Sequence, residues 1–249
     1  MSPMAKIERI PAYRVLADAI MGDILARRFA LGEQLPTEAK LCEIFGVNRS
    51  TVREGMRLLE ENGVLRRIGA KRLVVGRPST GEVGDQLERA FVLHEITLKE
   101  IGEAMMAIEP AMARFAAQNS DRKGIAVRFH ANLAATKEAL EKGESLTELD
   151  VEFHSIVATS SNSRALILAY EPLRRFFFPA FEAVLSTVPP AGARLLKAHQ
   201  EIAAAIIAGD QHLASLWMER HIRDFKRGFD VGMLDILQPV ERLARKSPR

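Results

Sequence analysis

The sequence predicts a mainly α-helical protein of two domains, with one short β-hairpin at the end of the first domain. Three observations lead to this prediction. The 249 residues are rich in Ala and Leu and only 6% aromatic, and Ala and Leu lose little rotamer freedom in a helix. Apolar residues recur at helical spacing along most of the chain. Beyond residue 86, no alternating strand pattern of useful length appears.

The first domain, residues 1–78, is predicted to begin with three short helices. The first starts after Pro11 and is placed to end at Gly32; its apolar face is Val15, Leu16, Ala19, Ile20 and Ile24. Thr37 can cap the second, and Gly46 allows the tight turn after it. Asn48 can cap the third. The inward side chains of these two helices are predicted to be Leu41, Ile44 and Phe45, then Val52, Met56 and Leu59.

Two short helices joined by about four residues with a glycine form a helix-turn-helix, whose second helix enters a DNA major groove. The stretch VLRRIGAKRLVVG, which follows Gly63, alternates basic and apolar residues around Gly69 and predicts a hairpin. A hairpin after three helices is a wing. The first domain is therefore predicted to be a winged helix-turn-helix.

Arginines recur every four residues on the third helix, at Arg49, Arg53 and Arg57, opposite its apolar face. The wing adds Arg66, Arg67, Lys71 and Arg72. Residues 1–80 carry 14 basic and 9 acidic side chains, whereas residues 81–249 carry 21 and 23. Taken alone, the stripe could be a solvated helix face. Because it lies in a capped helix before a basic hairpin, we predict contact with double-stranded nucleic acid.

The second domain, residues 86–235, is predicted to be an all-helical bundle. Residues 79–85 are rich in Gly, Ser and Thr and are predicted to be a linker. Residues 236–249 are taken as a C-terminal tail. The predicted helical blocks are 86–94, 97–119, 121–142, 146–159, 163–185, 191–208 and 210–230.

Several classes of protein are disfavoured. No apolar run of roughly 18 residues exists and the N-terminus has no apolar signal core, so we expect a cytoplasmic protein without a membrane segment. The single Cys42 excludes an internal disulfide and a cysteine-based zinc cluster. The sequence contains no H-E-x-x-H, G-x-S-x-G or P-loop motif, so no enzyme is indicated.

Asp150 and His154 are four residues apart in LDVEFHSIV, on one helix face among apolar side chains. Buried Asp and His require partners, and a divalent ion such as Zn²⁺ or Ni²⁺ is one such partner. His199 and His221 also lie on strongly apolar helices, so these four residues could form a metal site. The alternative is that each histidine forms hydrogen bonds within a helical core.

Residues 33–74, EQLPTEAKLCEIFGVNRSTVREGMRLLEENGVLRR and the wing, resemble the GntR family of bacterial transcription regulators. The resemblance covers the Leu-Pro-Thr-Glu entry, the Gly-Val turn and the Arg-x-Thr-Val-Arg of the third helix. It implies that the third helix and wing bind DNA. The expected DNA-binding residues are Thr37, Arg49, Ser50, Thr51, Arg53, Arg57, Arg67, Gly69 and Lys71.

Residues 86–232 resemble the FCD ligand-binding domain of the FadR subfamily. The matching stretches are DVEFHSIVATSSN, HQEIAAAIIAGD and the histidine at 221. The resemblance implies that the metal ligands are Asp150, His154, His199 and His221. It also implies a homodimer on a palindromic operator, controlled by a small carboxylate.

The chain departs from the family pattern at Ala39 and Met105, where many relatives have Arg, and at Lys71, where the wing usually has a second glycine. Met105 implies an effector that is bound differently or is less acidic. Arg174 and Arg175, beside an aromatic run, are an alternative position for a carboxylate.

The expected function is therefore that of a ligand-responsive DNA-binding regulator, a repressor. Two alternatives remain at this stage. One is a metal-dependent enzyme whose basic domain only localises it. The other is a purely structural ion that ties the helices together.

Overall fold

The computed structural model describes residues 10–69, 72–188, 191–233 and 235–240. Lys71, the first nine residues and residues 241–249 of the predicted tail lie outside these ranges. The chain divides into two compact units, Met1–Glu82 and Val83–Arg249. The described elements are α1 (Ala12–Leu25), α2 (Glu38–Phe45), α3 (Arg49–Glu61), β1 (Leu65–Ile68), β2 (Arg72–Val75), α4 (Thr80–Leu93), α5 (Leu98–Ala116), α6 (Arg122–Lys142), α7 (Thr147–Ser160), α8 (Arg164–Thr187), α9 (Ala191–Ala208) and α10 (Gln211–Gly232).

This architecture confirms the mainly α prediction with a small wing. Strands β1 and β2 pair antiparallel, with Leu65 opposite Val75 and Ile68 opposite Arg72. The caps of α2 and α3 also agree with the sequence. The Thr37 hydroxyl accepts from the backbone N–H of Lys40, and Gly46 ends α2 in the left-handed region at φ 64°.

The first helix differs from its prediction at its end and on its buried face. It ends at Leu25, because Arg27 adopts φ 58° and the chain leaves the helix so that Phe29 can pack on the core. The buried side chains are Leu16, Ala17 and Ile20, whereas Val15 and Ala19 are exposed. Packing against α3 therefore selects a face shifted from the predicted one.

The predicted end of α1, Gly32, instead starts a backbone connection to the wing. Its N–H donates to the carbonyl of Val75 at 2.8 Å, and Leu35 N–H donates to Leu73 at 3.1 Å. On α2, the prediction for Ile44 is wrong, since its side chain is 57% exposed. The buried edge of this short helix is formed by Leu41, with Cys42 and Phe45 packed at the same core.

The predicted linker 79–85 is largely helical, because α4 begins at Thr80. The hydroxyl of Ser79 accepts from the N–H of Glu82, and the Glu82 carboxylate accepts from the N–H of Ser79. This reciprocal pair is a capping box, which favours helix initiation. Between β2 and α4, regular structure is lacking at residues 76–79.

The second unit is a helical bundle in which α5 packs against α7, α8, α9 and α10. Its core includes Ile101, Met105, Phe129, Phe153 and Ile202, each at most 1% exposed. Helix α5 continues through Pro110, and α8 continues through Pro172. Among the described helices, none has the length and apolar character needed to cross a membrane.

Candidate nucleic-acid interface and metal centre

The arginine side chains of α3 lie on its exposed face. The side chains of Arg53 and Arg57 are 68% and 65% exposed, whereas Val52 and Met56 behind them are buried. Arg49 at the start of the helix is also exposed. This face of α3 is therefore free of core packing, as expected for a helix that reads a groove.

Three of the expected DNA-binding arginines form ion pairs within the first unit. Arg53 Nε donates to Glu38 at 2.9 Å, and Arg57 Nη1 donates to Glu61 at 2.5 Å. The Arg67 guanidinium makes two hydrogen bonds to Glu60, at 3.1 and 2.8 Å. Sequence reasoning missed these pairs, although the four-residue separation of Arg57 and Glu61 was a visible signal. Exposed pairs of this kind contribute little stability and can be exchanged for phosphates.

A groove of about 760 Å³ brings several expected residues together: Thr37, Arg53, Arg57 and Arg67 are among those that line it. Ser50 and Thr51 lie at the start of α3, where their hydroxyls donate to the side-chain oxygen of Asn48 at 2.7 and 2.9 Å. Gly69 follows β1 with φ 62°, a left-handed turn that glycine adopts without strain.

The other predicted site is buried in the second unit. Asp150 and His154 come from α7, His199 from α9 and His221 from α10, and one ligand atom from each lies within 4.8 Å of the others. Their exposures are 2%, 1%, 0% and 8%. All four residues predicted as metal ligands are therefore brought together.

The donor set fits a divalent ion. Asp150 Oδ1 and both ring nitrogens of His199 are buried without a hydrogen-bond partner in the described chain, although His199 Nε2 lies 3.3 Å from Asp150 Oδ1. His154 Nε2 faces His221 Nε2 at 3.1 Å, so a proton or a cation must lie between the two lone pairs. Three imidazoles and a carboxylate are a usual donor set for Zn²⁺ and similar ions.

Glu109 of α5 completes this site, and the sequence analysis did not assign it a role there. It is 1% exposed, and its Oε2 is hydrogen-bonded to His154 Nδ1. A carboxylate on that nitrogen orients the ring and leaves Nε2 to face an ion. The sequence did contain a signal for this role. Glu109 lies at helical spacing from apolar residues, and a carboxylate on a buried face requires a partner. That face of α5 includes Ile101, Met105, Glu109 and Met112.

Burial and neighbouring charges shift the pKa values in opposite directions. Burial lowers the pKa of His154, but the carboxylates of Glu109 and Asp150 outweigh it and raise this pKa to about 9. The pKa values of His199 and His221 lie well below the usual value. Burial is the larger cause, and the charge of neighbouring histidines adds to it. Without a bound cation, the His154 ring is protonated, whereas the imidazoles of His199 and His221 are neutral and can each offer a lone pair to a metal ion.

The alternative position for a carboxylate is already occupied by protein carboxylates. Arg174 makes two hydrogen bonds to Glu171, at 2.7 and 2.8 Å. Arg175 forms ion pairs with Asp85 and Glu88. Arg174 is therefore bound to the preceding turn of α8, and Arg175 links α8 to α4.

A winged helix-turn-helix with an arginine face, joined to a helical unit with a buried His-and-Asp cluster, defines a class of DNA-binding transcription regulators. Residues 12–75 match the family described as bacterial regulatory proteins, gntR family, and residues 100–224 match the FCD domain. The chain belongs to the GntR family of transcriptional regulators, with an FCD domain as its second unit. It is a regulator and not an enzyme, as its relatives also indicate.

Two relatives and one solved structure illustrate this similarity. The chain is 26% identical over 230 residues to the Glc operon transcriptional activator of Escherichia coli K12, covering 89% of this chain and 90% of that one. It is 28% identical over 138 residues to the HTH-type transcriptional repressor NanR of Edwardsiella tarda, about half of each chain. The structure of Streptococcus agalactiae GntR, 23% identical, covers 86% of this chain and 99% of its own with a TM-score of 0.59, which shows a shared fold.

Proposed function

We propose that this regulator binds a palindromic operator as a homodimer, and that a small carboxylate bound at a divalent ion in the second unit controls its operator affinity. The observation that carries the proposal is the buried cluster of Asp150, His154, His199 and His221, with Glu109 behind His154. Structural hydrogen bonding alone does not account for it, because several of its polar atoms lack partners among the described residues.

The proposed DNA contacts use the exposed face of α3 and the wing. Arg49, Arg53 and Arg57 divide between base edges and phosphates, and Arg67 reaches the flanking backbone. Support comes from their exposure and from the groove that Arg53, Arg57 and Arg67 share. The proposed contacts of Thr37, Ser50, Thr51 and Gly69 go to the DNA backbone and position the protein on it. These residues lie where the two helices and the wing turn: Thr37 caps α2, and the hydroxyls of Ser50 and Thr51 donate to Asn48, the cap of α3.

The proposed ligand site uses four side chains from three helices. A divalent ion, Zn²⁺ or Ni²⁺, would be held by Asp150, His154, His199 and His221, and when bound it supplies open coordination positions for carboxylate oxygens. Glu109 keeps His154 oriented. Arg174 and Arg175 are not part of the proposed ligand site, because acidic side chains already engage them.

A homodimer suits both parts of the proposal. The two identical winged helix-turn-helix domains of a dimer would bind two half-sites of opposite orientation, so a palindromic operator is expected. Helix α4 supports a contact between copies, because Leu87 and Leu93 are 37% and 83% exposed. We propose repression as the mode of action; the similar proteins include one named as an activator and one as a repressor.

The decisive experiment measures metal content and ligand response together. Purified parent protein, His199→Ala and the control His212→Ala, whose side chain is exposed, are analysed for bound metal and then screened by thermal shift with small carboxylates. We expect one divalent ion per chain in the parent and the control, none in His199→Ala, and carboxylate shifts only where the ion is present. An absence of metal in all three proteins would refute the metal site.

A structural ion is a second candidate, because the ligands come from three helices and are nearly inaccessible. On that hypothesis, chelation lowers the melting temperature and no carboxylate changes it. The same thermal-shift screen therefore separates the two functions. Operator binding measured with and without the best carboxylate then tests regulation, since an effector must bind the two functional states with different affinity.

A further inference from the structure

The arginines that line the groove of the first unit use different guanidinium nitrogens in their ion pairs. Arg57 donates from Nη1 to a glutamate one turn further along α3, and Arg67 donates from Nε and Nη2 to Glu60. Arg53 donates from Nε to Glu38 Oε2 at 2.9 Å. Among the residues that the structure describes, no acceptor is bound to either terminal nitrogen of Arg53. Its terminal N–H groups are therefore available to a ligand.

The free end of the Arg53 guanidinium is suited to one kind of base. Guanine presents two neighbouring acceptors, O6 and N7, in the major groove, and the two terminal nitrogens of an arginine can bind both. Because Glu38 accepts from Nε, it leaves these nitrogens unoccupied. Arg53 can therefore bind a guanine while its ion pair with Glu38 remains intact.

The start of α2 holds Glu38 in place. Glu38 is the first residue of that helix, directly after the Thr37 cap, and the N-terminus of a helix stabilises a carboxylate. Arg53 comes from α3, 15 residues away, so the pair links the two helices of the helix-turn-helix. Restraining a flexible arginine before it binds reduces the conformational entropy that is lost on binding. Glu38 therefore orients Arg53 before DNA is bound.

The charge of Glu38 opposes that of the arginines around it. Its carboxylate and that of Glu60 line the same groove as Arg53, and the Glu38 side chain is 42% exposed. A carboxylate at this position repels DNA phosphates and lowers the affinity for every sequence. It does not repel the edge of a guanine, which is uncharged. Glu38 therefore disfavours a phosphate contact of Arg53 relative to a base contact, and such a penalty on the wrong contact increases selectivity.

We propose that Glu38 is a positioning residue for sequence recognition: it holds Nε of Arg53 so that the terminal nitrogens bind O6 and N7 of one guanine in each operator half-site. This inference rests on the proposed function, because α3 must lie in the major groove. It adds a residue outside the expected DNA-binding set, and it assigns Arg53 to a base and not to a phosphate.

The test begins with an operator that the full-length parent protein selects from a pool of random duplexes. Fluorescence anisotropy at one salt concentration then measures the affinity for this operator, for versions with each base pair replaced in turn, and for a random duplex. Arg53→Ala identifies the guanine in question, because replacing that base should no longer matter in this variant. Replacing the same guanine with 7-deazaguanine, which lacks the N7 acceptor, should weaken parent binding roughly 3- to 10-fold.

Glu38→Ala should lower the selectivity while raising the general affinity. In the parent, replacing the guanine should weaken binding by about 5- to 150-fold, and in Glu38→Ala by less than about threefold. Binding to the random duplex should rise roughly two- to fivefold, because a negative charge is removed. Glu43→Ala is the matched control on α2, where Glu43 is exposed and pairs with Lys40 at 2.9 Å. This control should leave the guanine preference unchanged.

A double variant shows whether Glu38 acts through Arg53. When Arg53→Ala is already present, Glu38→Ala should change no base preference and should only increase the affinity for both duplexes. A guanine preference that survives in Glu38→Ala, or that is lost equally in Glu43→Ala, overturns the inference but leaves the base contact of Arg53 intact. If Arg53→Ala keeps the parent's preference at every position, the proposed base contact itself fails, and this inference with it.

Thermal unfolding separates positioning from a role in the fold. Exposed ion pairs contribute little stability, so Glu38→Ala should melt close to the parent. A clear decrease in melting temperature together with weaker binding to the random duplex would show that the pair maintains the helix-turn-helix itself, and would overturn the inference.

Discussion

The carboxylate of Glu109 is hydrogen-bonded to Nδ1 of His154, across 45 residues of sequence and with both side chains 1% exposed. This contact joins α5 to the metal-type cluster on α7, α9 and α10. It leaves the other ring nitrogen of His154 facing the cluster. The proposed metal affinity therefore depends on a residue that is not itself an expected ligand.

Glu109→Gln should weaken metal binding by about 10- to 100-fold, the range seen when a partner of a ligating histidine is lost. The amide keeps the size of the side chain but removes the charge that orients His154. Competition with a chromophoric chelator measures the change. Glu103→Gln, on the exposed side of the same helix, is the control, and an equal loss in both variants would contradict this role of Glu109.

Metal loading should release about one proton per chain between pH 7 and 8. The pKa of His154 is raised to about 9, so its ring is protonated below that pH and a cation must displace the proton. Metal affinity should therefore decrease as the pH falls. Calorimetry in buffers of different ionisation enthalpy measures the release, and a result near zero would mean that His154 is already neutral.

The raised pKa of His154 should also make the stability of the metal-free protein depend on pH. A raised folded-state pKa stabilises the fold fully below the unfolded value, 6.5, and this contribution is lost as the pH rises through about 9. The difference in unfolding free energy between the parent and His154→Gln, measured by denaturant titration, should shrink from pH 6 to pH 9.5. A difference that is constant with pH would contradict the charged pair with Glu109.

Arg53→Ala should weaken operator binding by roughly 1–3 kcal/mol if the side chain contacts a base. Fluorescence anisotropy on operator and on random duplex distinguishes the two kinds of contact, because a phosphate contact weakens both equally. Arg28→Ala is the control, since Arg28 pairs with Asp23 away from the groove. Unchanged binding to both duplexes would show that Arg53 does not contact DNA.

Glu60→Gln should strengthen binding to random DNA roughly two- to fivefold at low salt, because it frees the Arg67 guanidinium from an exposed ion pair. The effect should diminish as salt is raised, since phosphate contacts are screened. Arg67→Ala combined with Glu60→Gln should abolish the gain. If the gain in DNA affinity persists in the double variant, it comes from the loss of the Glu60 carboxylate alone and not from Arg67.

Gly55→Ala should destabilise the first unit by about 1–3 kcal/mol through overpacking. A Cβ at Gly55 would lie 2.7 Å from Leu16 Cδ2 and 2.9 Å from the Tyr13 carbonyl, where α1 crosses α3. Gly22→Ala is the matched control, because a Cβ there meets nothing within 4 Å. Thermal unfolding of both variants should give opposite shifts, as Ala stabilises a helix relative to Gly.

Local patterns in the sequence predicted most of the helices and singled out the pair Asp150 and His154, whereas the full set of four cluster residues rested on the resemblance to the FCD domain. Caps such as Thr37 and Asn48 act on backbone groups three residues away, and the spacing of Asp150 and His154 is set within one helix, so both can be recognised without the fold. The capping box of Ser79 and Glu82 was equally local, but the Gly-rich composition around it favoured a linker.

The tertiary structure decided what depends on contacts distant in sequence. Only the packing of α1 on α3 selects Ala17 over Ala19 as a buried residue, and only the bundle brings Glu109 to His154. The fold likewise shows that the buried Tyr170 hydroxyl has no hydrogen-bond partner among the residues that the structure describes. The physical reason is that helical periodicity defines which side chains share a face, whereas hydrogen bonding and burial depend on what the other helices place against that face.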